Sequence, residues 1–132
     1  MTAMTFRIYN AVIALGCLLA AESAWAHHNF GFFFDMEKKF MLTGTLTKVN
    51  WRNPHIDFSL EAKSDKGQTE SWFMESAPPN AFKSRKISKA IFEQAIGQTV
   101  TVEASPARDG SRYGMPWKIT FPDGRVIVNR GE

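Results

Sequence analysis

Cysteine occurs once in the 132 residues, at Cys17 near the amino end. A single thiol closes no disulfide within the chain and builds no Cys-based zinc or iron–sulfur site. Long hydrophobic runs are also missing. The longest, Ala11 to Ala21 (AVIALGCLLAA), falls short of the about 20 residues that a bilayer core of about 30 Å demands. Gly-x-Ser-x-Gly, a phosphate-cradling glycine loop, a dinucleotide fingerprint and His-Glu-x-x-His are all absent. No nucleophile, base and oxyanion set converges, so the chain reads as a binding protein rather than an enzyme. The net charge of +3 is mild. Lys83, Arg85, Lys86 and Lys89 read as a solvated face rather than a tracker of phosphates, and no nucleic-acid partner is expected.

What is present is ordinary in bulk and unusual in detail. Hydrophobic residues make up 44% and charged residues 22%, which excludes wholesale disorder. One domain fits this length. Eleven Phe and four Trp are many for so short a chain. With no disulfide available, they must supply much of the core.

The first twenty-six residues read as a secretory leader. Arg7 lies in a polar start without acids, the Ala11–Ala21 run follows, and Ala24-Trp25-Ala26 offers the small residues that signal peptidase accepts. Cleavage after Ala26 leaves residues 27–132, periplasmic or secreted and without a membrane span. Losing Arg7 and Glu22 keeps the charge at +3. Acylation at Cys17 is the competing reading, with little apolar sequence left before the thiol.

The mature chain divides into an aromatic arm, residues 27–39, and a β-rich domain, residues 40–132. The arm (HHNFGFFF onward) either docks on the domain or stays exposed to a partner or lipid. From Phe40 the pattern has period two, with Phe40, Leu42, Gly44 and Leu46 on one face and Thr43, Thr45, Thr47 and Val49 on the other. Gly44 suggests a bulge or tight bend. Arg52-Asn53-Pro54 ends that strand. Ile56, Phe58, Leu60 and Ala62 alternate inward in the second strand, and Gln68 to Met74 forms a third. Pro78-Pro79 marks a loop, and Ser88 to Ile96 the one helix, stopped by Gly97. Thr99 to Ala104 is a strand, Pro106 to Pro116 a long loop, and Trp117–Phe121 with Arg125–Asn129 a hairpin. The order β-β-β-α-β-β predicts a mainly β fold: a small five- to six-stranded OB-like barrel with one short helix.

Histidine placement is the chemical signal. All three histidines, His27, His28 and His55, lie after Ala26. Cleavage there makes His27 the first residue, offering its α-amine and imidazole to one metal ion. A second imidazole, from His55 or His28, completes a three-nitrogen set that favours copper over zinc. Asp57, two residues beyond His55, is the expected acceptor for its other ring N–H. Met36, Met41, Met74 and Met115 read as core filler ahead of thioether ligands. The alternative is a metal-free binding or adaptor module of an exported complex, with Trp51, Asn53, Trp72 and Glu75 as its ligand or partner face.

At these residues the chain resembles a group of small exported bacterial proteins of unknown function. The shared pattern reads here as His27-His28-Asn29-Phe30, Phe34-Asp35, Leu42-Thr43-Gly44-Thr45, Trp51-Arg52-Asn53-Pro54-His55, Trp72…Glu75…Pro78 and Pro122-Asp123-Gly124-Arg125. Asn29 stands where the group has Ser, and Phe82 to Lys86 lacks its Gly-Trp pair. The resemblance implies export and a small β-rich fold, and it implies no reaction.

Overall fold

The structure, a computed structural model, describes residues 30–129. The leader assigned to residues 1–26, with Cys17, and the two histidines His27 and His28 lie outside the described residues. One helical turn, α1 (Phe30–Phe33), leads into β1 (Phe40–Asn50), β2 (Asp57–Lys63) and β3 (Thr69–Glu75). Two short helices follow, α2 (Pro79–Lys83) and α3 (Lys89–Gln94), then β4 (Thr99–Pro106), β5 (Tyr113–Thr120) and β6 (Val126–Val128). No helix among the described residues is long and apolar enough to cross a membrane.

The strands run β3-β2-β1-β4-β5-β6, and a parallel pairing of β3 with β5 (Phe73 with Tyr113, Met74 with Gly114) closes the first five into a barrel. β6 is the extra strand, antiparallel on β5. The expected small β-barrel is therefore present, and closure leaves few unpaired strand edges.

The core is aromatic where the helices meet the barrel. Phe82 of α2 and Phe92 of α3 pack edge to face with centroids 5.9 Å apart, and both are 1% exposed. Trp51 lies 5.7 Å from Phe82 and 5.6 Å from Phe92, and Phe121 meets Phe92 at 5.3 Å. These rings join Leu46, Ile56, Phe58, Leu60, Val100 and Val102 in one cluster.

Local details depart from the pattern reading where irregularity shifts a period. Val49, predicted on the threonine face, packs against the core. The cause is a register break between Leu46 and Lys48, after which Val49 opposes buried Phe58. One extra residue flips every later side chain to the other face. The bulge thus lies beyond Gly44. That glycine serves a close approach instead: a Cβ there would sit 2.6 Å from the Glu61 carbonyl oxygen.

Only α3 occupies the predicted helix; α1 in the arm and α2 after the Pro78-Pro79 loop are additional short helices. Pro79 opens α2, where its missing N–H would have no partner anyway. α3 ends at Gln94, so Ile96 emerges 44% exposed instead of joining the apolar stripe. Gly97, at φ +84°, supplies the left-handed conformation that stops it.

Half of the expected Pro106–Pro116 loop is strand. Pro116 sits inside β5 opposite Ala104, next to a register break between Glu103 and Ala104. Proline fits there because a bulge demands no N–H from it. Its carbonyl accepts a 2.6 Å hydrogen bond from Asn129 Nδ2, while Asn129 Oδ1 accepts from Ser76 Oγ at 2.6 Å. This buried amide joins the chain after β6 to the end of β3.

The Gly44 contact yields a stability test. Gly44→Ala should destabilise the barrel by about 1–3 kcal/mol, because backbone rather than a flexible side chain blocks the new methyl. Urea unfolding measures it. Unchanged stability would mean that β1 and β2 separate at little cost.

Candidate functional site

His55 lies in the β1–β2 connection, one residue before the ladder resumes. Ile56 N–H bonds to the Ala77 carbonyl at 3.1 Å, and Ser76 N–H bonds to the Ile56 carbonyl at 2.8 Å. These bonds extend the β2–β3 pairing past the strand ends. Ile56 is fully buried and faces the core.

Glu75, the last residue of β3, meets this histidine. His55 Nδ1 is 2.6 Å from Glu75 Oε1. Its partner oxygen, Oε2, accepts from the Tyr113 hydroxyl at the start of β5. An ionised carboxylate only accepts, so opposite one it is the Nδ1–H that donates in this bond. His55 and Glu75 side chains are only 16% and 24% exposed, which shields the pair from water.

The aromatic arm covers this group. The Phe30 ring lies 5.1 Å from the His55 ring and 5.9 Å from Phe34. Phe34, 1% exposed, packs on Tyr113 at 4.7 Å and belongs to a second small core with Ala107 and Met115. Backbone bonds clamp it: Asp35 N–H to Pro106 O at 2.9 Å, and Arg108 N–H to Phe33 O at 2.9 Å. The arm is thus docked by Phe30 and Phe34, which share one side of a helical turn. Phe32 and Phe33 point away, 75% and 46% exposed.

Several sequence-predicted residues fall elsewhere. Asp57 is not the Nδ1 acceptor in these contacts. Its carboxylate takes Asn50 Nδ2 at 2.5 Å and approaches Arg52 Nη2 at 3.4 Å. The reason is register: Asp57 pairs directly with Asn50 across β1–β2, and the i, i+2 relation to His55 holds only in an unbroken strand. Trp51 belongs to the helix-end core. Trp72 packs on Phe40 at 5.1 Å, on the opposite face of β3 from Phe73 and Glu75. The four residues Trp51, Asn53, Trp72 and Glu75 therefore form no single face. Asn53 and Glu75 do share one cleft, with Arg52, Pro54, His55, Asp57 and Phe73. Met74 and Met115 are fully buried, in keeping with core filler.

Tyr113 and Phe30 escaped the sequence reading as site residues. Tyr113 stood in the supposed loop. Phe30 was one of four arm phenylalanines, and only the four-residue spacing to Phe34 hinted at a shared docked face. Among the described residues, no three His, Cys, Asp or Glu side chains are grouped to hold a metal ion.

The fold and this site define a class: a small closed β-barrel with a histidine–carboxylate–tyrosine group on its outside, roofed by its own amino-terminal arm. The chain belongs to the family described as "Family of unknown function (DUF6152)", whose family model matches residues 15–117. That span takes in the arm, the histidine loop, Glu75 and Tyr113. No curated protein matches the chain.

The two halves of the arm should respond differently to truncation. Phe34→Ala should cost about 3 kcal/mol or more, the usual loss for a buried Phe. Phe32→Ala should stay within about 0.5 kcal/mol. Thermal or urea melts compare them, and equal effects would contradict the docked arrangement.

Proposed function

We propose that the protein is an exported, periplasmic copper-binding protein, acting as a carrier or sensor. Its ligands are the α-amine and imidazole of His27 as the processed first residue, and the imidazole of His55. His28 is the alternative second imidazole. Glu75, rather than Asp57, orients His55, fixing the tautomer that presents Nε2 as a donor.

The observation that carries this reading is the contact of Phe30 with His55 at 5.1 Å. Phe30 is three positions along the chain from His27, and each step extends the chain by at most about 3.6 Å. A terminus made at His27 thus starts within reach of the His55 ring. An α-amine has a pKa of about 7.7–8.0, so it gives up its proton to a metal near neutral pH. Three nitrogens in this set suit Cu(II), with Cu(I) accepted less well, ahead of zinc.

A second reading is a metal-free adaptor in an exported complex. It rests on exposed Phe32 and Phe33, whose rings pack edge to face at 5.1 Å and present an apolar knob. A periplasmic protein would be its partner.

Copper titration separates the two. Protein beginning at His27 should bind Cu(II) at least about tenfold tighter than protein with an added leading Ala, and tighter than His55→Ala by a similar factor. Glu75→Gln should weaken binding by about 10–100-fold, the usual cost of losing a group that orients a ligand. Equal affinity across all four would overturn the copper reading and leave the adaptor.

A further inference from the structure

The two ends of the barrel are finished differently. β1 runs from Phe40 to Asn50, and Trp51 beyond it meets Phe82 of α2 and Phe92 of α3, which plug that end. At the Phe40 end the surface is a cleft of about 620 Å³, a size that takes small ligands. Its aromatic lining is Phe40 and Trp72, both half-buried, with ring centroids 5.1 Å apart and planes tilted by 38°. Both rings pack on the main core cluster, and both line the cleft. Gly114 helps to seat them: a Cβ there would come within 3.2 Å of the Phe40 ring.

The rim of this cleft is polar and mostly unused by the fold. Among the described residues, the Asp65, Lys66 and Gln68 side chains, in and just after the β2–β3 turn, make no hydrogen bond or ion pair. The Trp72 indole N–H makes none either. No polar side-chain atom among these residues is buried without a partner, so that N–H opens to solvent. Arg112 gives Glu70 one of its N–H groups, at 2.8 Å, and its side chain remains 56% exposed.

We propose that this end of the barrel binds a neutral carbohydrate, with one pyranose ring lying flat on Trp72 and its hydroxyls on the rim. The lining has two characters, and so does such a ligand. A gluco-configured ring holds its hydroxyls equatorial, so its faces carry C–H groups and its edge carries groups that both donate and accept. The apolar, electron-rich indole face suits the C–H face. The rim suits the edge: Asp65 and Glu70 accept, Lys66 and Arg112 donate, and Gln68 does both. Charge argues against an ionic ligand. Three cations, Lys63, Lys66 and Arg112, share the cleft with two carboxylates, Asp65 and Glu70, so a ligand of either sign meets its like. A neutral polyol uses both kinds. Trp72 lies on the face of β3 opposite Glu75, so this proposal stands independently of the copper reading.

The test uses protein expressed from the full-length chain, with a chelator present. Cellotetraose and chitotetraose are titrated in separate arms, which distinguishes glucose from N-acetylglucosamine units. Oligothymidylate is the anionic comparison. Calorimetry and tryptophan emission read the binding. Saturable binding of at least one of the two sugars is expected, one chain per protein and little changed by salt. Trp72→Ala should weaken it at least about tenfold. That ring also packs on the core, so a second variant, Asp65→Asn with Gln68→Ala, changes only exposed side chains that the fold leaves unbonded. It should weaken binding at least about threefold with an unchanged melting curve. No saturable binding of either sugar, or equal affinity in the double variant and the parent, would overturn the proposal. Oligothymidylate binding that Trp72→Ala abolishes would also overturn it and reassign the cleft to nucleic acid.

Discussion

The Glu75 carboxylate joins three parts of the chain that are far apart in sequence. One oxygen takes His55 from the β1–β2 connection, and the other takes the Tyr113 hydroxyl from β5. Glu75 itself ends β3. The parallel β3–β5 pairing that closes the barrel is formed two residues away, by Phe73 and Tyr113. Barrel closure and histidine orientation are therefore one constraint. Remove the carboxylate and two half-buried donors lose their acceptor, at a cost well above the net value of either bond.

The rest of the molecule supports that constraint from outside. Phe34 packs on Tyr113 and Phe30 on His55, so the arm forms the apolar wall against which the polar group sits. Excluding water there strengthens the hydrogen bonds it surrounds. The helix-end plug of Phe82, Phe92 and Trp51 performs a different task, filling the interior of a barrel that no disulfide reinforces. The His55–Glu75–Tyr113 group thus lies on the barrel's exterior and at its connections, while the large buried cluster fills the interior. Such a division lets one scaffold carry different sites.

The fold was largely legible because its period-two alternation is strong from Phe40 to Met74 and its turns carry Gly, Pro and Asp. The inward set Ile56, Phe58, Leu60 and Ala62 is buried as the alternation requires. What was hidden depends on long-range register. The bulge after Leu46 moves Val49 to the core, and no local residue announces it. Pro116 looked like a loop marker, yet a second bulge accommodates it in β5. The site was half legible. His55 and Glu75 stood out individually, but their contact spans twenty residues and follows from the β2–β3 pairing. Asp57 looked the nearer partner by spacing, and β1–β2 register assigned it to Asn50. Tyr113 was hidden by the same loop reading that hid the start of β5.

The proposed copper site consists of one amine nitrogen and two imidazole nitrogens, with His55 among the donors. Electron–nuclear double resonance on the Cu(II)-loaded, processed protein addresses it most directly when nitrogen-15 is placed selectively in histidine. Three strongly coupled nitrogens are expected, all from histidine, with the two-nitrogen signature of an imidazole seen twice and that of a primary amine once. A spectrum with a single imidazole, or with backbone amide nitrogens in place of the amine, would contradict it.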